Sequence, residues 1–313
     1  MLYGTINGID CHVARLVMGT MVCSTDNMEL TNALLDAYLE AGGNCLDTAR
    51  VYGGGKTEAA LGKWFTSRGN RDKVLLLAKG AHHDATGKRV NAKGIAEDIA
   101  ISLDLMQTDY IDIYLLHRDD PEVPVGVIVD ALNSHKEAGR IKVFGGSNWT
   151  TERIQAANAY AEANGMQGFA ASSPQLSLAV PNEAMWAGCL FVTPSDSEWH
   201  TKTQLPLMPW SSQASGFFTG RFSPEDRSNA DVVRVYYSEG NWERLKRATT
   251  LAEQKGVTAN QFALAWVLHQ PYPVFPLIGP RTVEELASSL LALNVSLTDQ
   301  ERDWLSLKTD TLA

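Results

Sequence analysis

The sequence predicts an α/β protein built as a closed (β/α)8 barrel of the TIM type, on three observations. Short apolar runs alternate with amphipathic helical stretches, the pattern of parallel strands with helices packed outside them. Eight such strand-like runs occur, which favours closure over an open sheet. No linker-like shift of composition divides residues 1–313, so one domain spanning 1–313 is expected.

The chain opens with two short strands, Leu2–Thr5 and Cys11–Ala14, around the turn signal Asn7-Gly8. This N-terminal β-hairpin is expected to cap the bottom of the barrel. Leu16–Gly19 is the first barrel strand, and its helix carries Leu30, Leu34, Ala37, Tyr38 and Ala41 on one face. Asn44–Asp47, a helix near Thr57–Phe65 and the strand Val74–Ala78 follow. Ile95, Ile99, Leu103 and Met106 mark the next helix before the strand Ile111–Leu116. A helix entered at Pro124 leads to the strand Val143–Ser147, because proline suits a first helical turn. A helix with Ile154, Ala157 and Ala161 precedes the strand near Ala170–Ser173. Leu205–Trp210 is a weaker strand, interrupted by prolines. Helices near Trp242–Lys255 and Thr258–His269 come before the strand Pro273–Leu277, and Thr282–Leu291 and a helix after Thr298 close the chain. Ala81–Val90 and about Pro194–Thr203 read as long irregular segments.

Lys and Arg number 27 against 36 Asp and Glu, a net charge of −9. That balance argues against a nucleic-acid or anionic-membrane binder, which needs a basic face. No signal-peptide pattern opens the sequence and no apolar run approaches membrane-spanning length. Cys11, Cys23, Cys45 and Cys189 fit no zinc spacing and are too sparse for a disulfide framework, so the expectation is four buried thiols in a reducing cytoplasm. His82, His83 and Asp84 are read as a solvated loop, and no metal site is expected.

Active sites of such barrels lie at the C-terminal ends of the strands. Asp47 ends the second strand, Tyr52 follows in a Gly-rich loop, Lys79 ends the third strand and His117 the fourth. Each residue alone is weak evidence. Together they make a tuned phenol acid. A free phenol, with a pKa of about 10, is a poor acid at neutral pH. A neighbouring ammonium is expected to lower it, a carboxylate to hold the ammonium, and an imidazole to orient a substrate oxygen.

The segments DTARVYGGGKTEAALGKWF, LLLAKG, IDIYLLH, GGSNW, SPQLS, PWSSQASGFFTGRF and PLIGPRTVEELASSL carry a resemblance. In order and spacing they resemble the aldo-keto reductase superfamily along nearly the whole chain. The resemblance places the family's catalytic set on Asp47, Tyr52, Lys79 and His117 without substitution. It implies a nicotinamide cofactor bound without a Rossmann motif, and no GxGxxG follows the first strand. Ser147, Asn148 and Gln175 match the partners of the nicotinamide carboxamide, and Trp210 the aromatic stacked on its ring. Ser211, Ser212, Gln213, Ala214 and Gly216 match the loop around the pyrophosphate. Gly279–Ser289 matches the adenosine segment, with Arg281 where a cation often meets the 2′-phosphate. Two departures weaken that grip: Glu285 stands where Gln is frequent, and Ser289 where Asn commonly contacts the adenine. The cofactor implied is NADPH (NADP), with NAD as the alternative, since a carboxylate near the ribose favours NAD.

The expected activity is hydride transfer to an aldehyde or ketone, with Tyr52 as general acid. Trp149 and Trp199 are read as lining the substrate pocket, which leans the substrate towards a sugar-like carbonyl. Two other roles occur among relatives: an NADPH-binding redox-sensing regulatory subunit with slow turnover, and an epimerase or lyase that uses the cofactor transiently. The sequence leaves the oligomeric state open.

Overall fold

The structure, a computed structural model, describes residues 1–312. The hairpin β1 (Tyr3–Gly4) and β2 (Val13–Ala14) pairs antiparallel, Tyr3 opposite Ala14. Seven parallel strands follow: β3 (Val17–Gly19), β4 (Cys45–Asp47), β5 (Leu75–Gly80), β6 (Ile111–Leu116), β7 (Ile141–Ser147), β8 (Ala171–Ser173) and β9 (Leu277–Ile278). Their order is β8-β7-β6-β5-β4-β3-β9.

The eighth stave is the 205–210 segment. Leu207 bridges Ser172 on one side and Val274 on the other, which closes the sheet into a barrel. Prolines at 206 and 209 cannot donate to a ladder, so pairing runs through their neighbours. Leu207 N–H donates to the Pro273 carbonyl at 2.9 Å and Met208 N–H to Ser172 at 2.8 Å. The two proline carbonyls still accept, from Ser172 at 3.0 Å and Leu277 at 2.9 Å.

Helices α1 (Met28–Glu40), α2 (Lys56–Arg68), α3 (Ala92–Met106), α4 (Val125–Glu137) and α5 (Thr151–Ala163) follow β3 to β7 in turn. After β8 comes α6 (Pro194–Thr203). Then α7 (Ala230–Tyr236), α8 (Glu239–Lys255) and α9 (Ala259–Leu268) lie between the eighth stave and β9. Helices α10 (Val283–Leu290) and α11 (Asp299–Leu305) end the chain.

Helix α6 corrects the expectation of an irregular segment at 194–203. Thr193 Oγ1 accepts from Asp196 N–H at 3.2 Å, and the Asp196 carboxylate accepts from Thr193 N–H at 2.9 Å. With Pro194 in the first position this is a capping box. The start signal stands in the sequence, but Trp199 is the lone large apolar residue of the helix, so no periodicity marks it.

Strand alternation builds two layers and aims the site. Cys45, Leu75, Leu77, Ile113, Leu115, Val143 and Ala171 pack with one another inside the barrel. Leu46, Leu76, Ala78, Tyr114, Leu116 and Phe144 pack outward against the helices. Ile6 and Val13 of the hairpin join the inner cluster, so the hairpin plugs the N-terminal end. Side chains on a strand alternate with period two. The next inward positions at the C-terminal ends are therefore Asp47, Lys79, His117, Ser147 and Ser173.

Candidate active site

Asp47 and Lys79 stand side by side on paired strands and form a buried ion pair, both 3% exposed or less. Tyr52 reaches the same point from the loop after β4. A short turn, Tyr52–Gly55, lets the chain double back, with φ of 56°, 63° and 95° at Gly53, Gly54 and Gly55. Those left-handed conformations suit glycine, and a Cβ on Gly55 would also lie 2.8 Å from the Arg50 guanidinium. The Lys79 ammonium lies 5.4 Å from the Tyr52 ring centroid, and the His117 ring stands edge-on to Tyr52 at 5.9 Å. The four residues expected from the sequence thus share one mouth.

Electrostatics sort their protonation. Burial alone would push Lys79 down, but the Asp47 carboxylate and then the phenol outweigh it and hold the ammonium above its ordinary value. Tyr52 stands above its ordinary value. Burial disfavours the phenolate more than Lys79 favours it, which corrects the expectation of a lowered phenol. His117 lies well below its ordinary range, through burial first and then the cations Lys79 and Arg118. At neutral pH the mouth therefore offers a protonated phenol and a neutral imidazole, both able to donate to an oxygen. The buried His117 Nδ1 has no protein partner.

Beside this set lies a cradle of polar atoms. Ser147 Oγ donates to the Ser173 carbonyl at 2.8 Å. Ser173 Oγ and Gln175 Oε1 are buried with no protein partner, although Gln175 Nε2 donates to the Tyr236 hydroxyl at 2.5 Å. A free hydroxyl and a free amide oxygen so close together suit a carboxamide, which needs one donor and one acceptor. Asn148, at φ 61°, stands beside Ser147 in the same cradle. Its amide donates to Ser147 Oγ at 3.1 Å, and its oxygen accepts from Leu190 N–H at 3.1 Å. Trp210 bridges Gln175 through the backbone, and its indole nitrogen is buried without a partner.

The loop after Trp210 is strained. Ser211, Ala214 and Ser215 hold φ of 51°, 48° and 52°, with Gly216 at 80°. Non-glycine residues in that region are uncommon and collect at ligand-gripping loops. Ser212 Oγ, buried, donates to the Pro209 carbonyl at 2.9 Å. Gln213 Nε2 donates to Ser289 Oγ at 3.3 Å, which ties this loop to α10. Gly279 follows β9 with open space where a Cβ would stand. Arg281 is exposed and forms no ion pair among the described residues. Its backbone N–H donates to the Glu285 carboxylate at 2.7 Å, while Thr282 caps α10 by accepting from Glu285 N–H at 3.2 Å.

The aldo/keto reductase family model matches residues 15–306. The chain belongs to the aldo/keto reductase family. It is 31% identical over 287 residues to norsolorinic acid reductase stcV of Emericella nidulans, covering 87% of this chain and 70% of that one. It is 28% identical over 310 residues to the oxidoreductase YrpG of Bacillus subtilis, covering 95% and 92%. The glycerol dehydrogenase AKR11B4 of Gluconobacter oxydans shares the fold, with a TM-score of 0.78 at 22% identity over 97% of this chain and 93% of that one. Family membership makes the chain an oxidoreductase of a nicotinamide-dependent family with the (β/α)8 fold. Among the described residues no helix is long and apolar enough to cross a membrane.

Two aromatic residues expected at the substrate pocket are not there. Trp149 is 2% exposed, packs on Phe169 at 4.9 Å and donates its indole N–H to the Arg118 carbonyl at 3.1 Å. Trp199 lies on α6, stacked edge-on to His200 at 4.9 Å and packed against the outer core. Both indoles face the helical layer. The mouth instead presents Trp186, 55% exposed and 5.7 Å from Trp210. Met21 and Val51, in the loops after β3 and β4, are also exposed. His82 adds an imidazole edge-on to His117 at 5.0 Å. Nothing in the irregular stretch around Trp186 marks it in the sequence. Ser173 was findable, since it continues the inward alternation of β8.

Proposed function

We propose that this chain reduces an aldehyde or ketone to an alcohol with NADPH, Tyr52 supplying the proton. The carrying observation is the protonated Tyr52 phenol set against the buried Asp47–Lys79 pair, with neutral His117 at its edge. When bound, the nicotinamide supplies the hydride. Ser147, Ser173 and Gln175 hold its carboxamide, Trp210 its ring, and the backbone of residues 211–216 the pyrophosphate. Tyr52 and His117 orient the carbonyl oxygen. As negative charge grows on that oxygen, these preorganised donors stabilise it and Tyr52 transfers its proton. Lys79 then stabilises the phenolate, and Asp47 keeps Lys79 in place.

The choice of NADPH over NADH rests on the 281–289 segment. The Arg281 guanidinium is exposed and forms no ion pair among the described residues, which leaves it for a 2′-phosphate. A charge-assisted contact of this kind is worth about 1.5–3 kcal/mol, roughly 10- to 150-fold in affinity. Arg281→Ala is expected to weaken NADPH by that factor and to leave NADH nearly unchanged. Paired Kd measurements on both forms check it. Equal losses for both cofactors would remove the phosphate role.

The apolar mouth of Trp186, Met21 and Val51 favours a flat apolar or aromatic carbonyl compound over a sugar-like one. One relative is named for reducing norsolorinic acid, another for oxidising glycerol, so the names alone do not choose. A panel of aryl aldehydes, ketones and keto-sugars, followed by loss of reduced-cofactor absorbance, tests the reading. Turnover with aryl aldehydes is expected. Oxidation of the cofactor by none of them would refute the reductase assignment.

A further inference from the structure

Arg118, the residue after His117, is a cation at the mouth with charge left over. Its Nη1 donates to the His117 carbonyl at 2.9 Å, and its own carbonyl accepts from the Trp149 indole. Its Nε is buried with no acceptor, and it forms no ion pair among the described residues. The nearby carboxylates are committed to other cations. Asp119 pairs with Arg153 at 3.0 Å, Asp120 with Lys88 at 2.7 Å, and Asp47 with Lys79. The guanidinium stem runs beneath Gly188, where a Cβ would come within 3.8 Å of Arg118 Cδ and 4.0 Å of Nε. The same loop carries Trp186 and is tied through Leu190 to Asn148. Arg118 directly follows His117, and the loop above its stem carries Trp186, 5.7 Å from Trp210 at the same mouth.

A partly buried guanidinium without a counter-charge is costly, and an incoming anion offsets that cost. We propose that Arg118 anchors a carboxylate on the substrate, so that the enzyme takes carbonyl compounds bearing an acid group, with Trp186 against their flat apolar part. This rests on the carbonyl-reductase reading above and deepens it. The planar fork of a guanidinium matches a carboxylate through two parallel N–H donors. The carbonyl oxygen then meets Tyr52 and His117 while the acid end is held one residue further along the same strand end.

The test compares 4-carboxybenzaldehyde with benzaldehyde, and benzoate with benzamide as non-reacting probes. Wild type is expected to favour the carboxylated aldehyde in kcat/KM by about 10-fold or more, chiefly through KM. Arg118→Met should reduce that ratio by roughly 10- to 150-fold, the scale of a charge-assisted contact, and Arg118→Lys should restore part of it. Benzoate should bind wild type more tightly than benzamide by calorimetry, and Arg118→Met should erase the difference. A wild-type ratio near one, or a ratio unchanged in Arg118→Met, would overturn the proposal. So would a selective loss of NADPH affinity in Arg118→Met with the aldehyde ratio intact, which would give the guanidinium to a cofactor phosphate. Failure of wild type to reduce either aldehyde, with benzoate still bound through Arg118, would refute the reductase reading and leave the anion site standing.

Discussion

Tyr52→Phe is expected to lower kcat by at least about 10²-fold, the scale of general acid catalysis. The substitution removes one hydroxyl and keeps the ring that meets His117 edge-on and lies beneath Lys79. Cofactor affinity should change little, since the carboxamide cradle and the 211–216 loop lie on other elements. Steady-state kinetics with a cofactor Kd on the same preparation check both halves. Near-normal turnover would remove Tyr52 from the chemistry.

Lys79→Met is expected to cost a similar factor and to change the pH profile. The phenol already stands above its ordinary value through burial, and Lys79 opposes that rise. Loss of the ammonium therefore raises the phenol further and makes it a weaker acid. In the reduction direction the protonated phenol is the working form, so activity falls as pH rises through its pKa. In the variant that alkaline limb should move to higher pH while the plateau drops by about 10²-fold. The single substitution also leaves Asp47 buried and unpaired, a penalty of about 3–5 kcal/mol in stability. Lys79→Met with Asp47→Asn removes both charges and keeps the shape, so it separates lost catalysis from lost folding. An unshifted alkaline limb in the single variant, or full activity in the double variant, would show that Lys79 does not act on Tyr52.

Much of this was legible in the chain because period-two alternation and barrel closure leave few choices. Once Leu75 and Leu77 face inward, Lys79 must, and the same holds for Asp47 after Cys45 and His117 after Leu115. Packing between elements was not legible. Trp149 follows the end of β7 and Trp199 lies within α6, and both turn to the helical layer, where Phe169 and His200 receive them. Trp186 lies in a stretch without periodicity and reaches Trp210 only through the fold. Helix α6 announced itself by its cap and hid its body, because one large apolar residue cannot show a stripe. The direction of the Tyr52 shift was missed because it is a contest between burial and one charge, and composition fixes neither depth nor distance.

Net reduction of a carbonyl by hydride from the cofactor leaves a traceable atom. Its most direct test is the fate of label from reduced cofactor deuterated at the nicotinamide C4 position, with an aryl aldehyde as acceptor. One cofactor should be oxidised per alcohol formed, with deuterium on the carbinol carbon of the product. Product formed without net oxidation of the cofactor, or alcohol free of the label when the transferring position is deuterated on both faces, would contradict it.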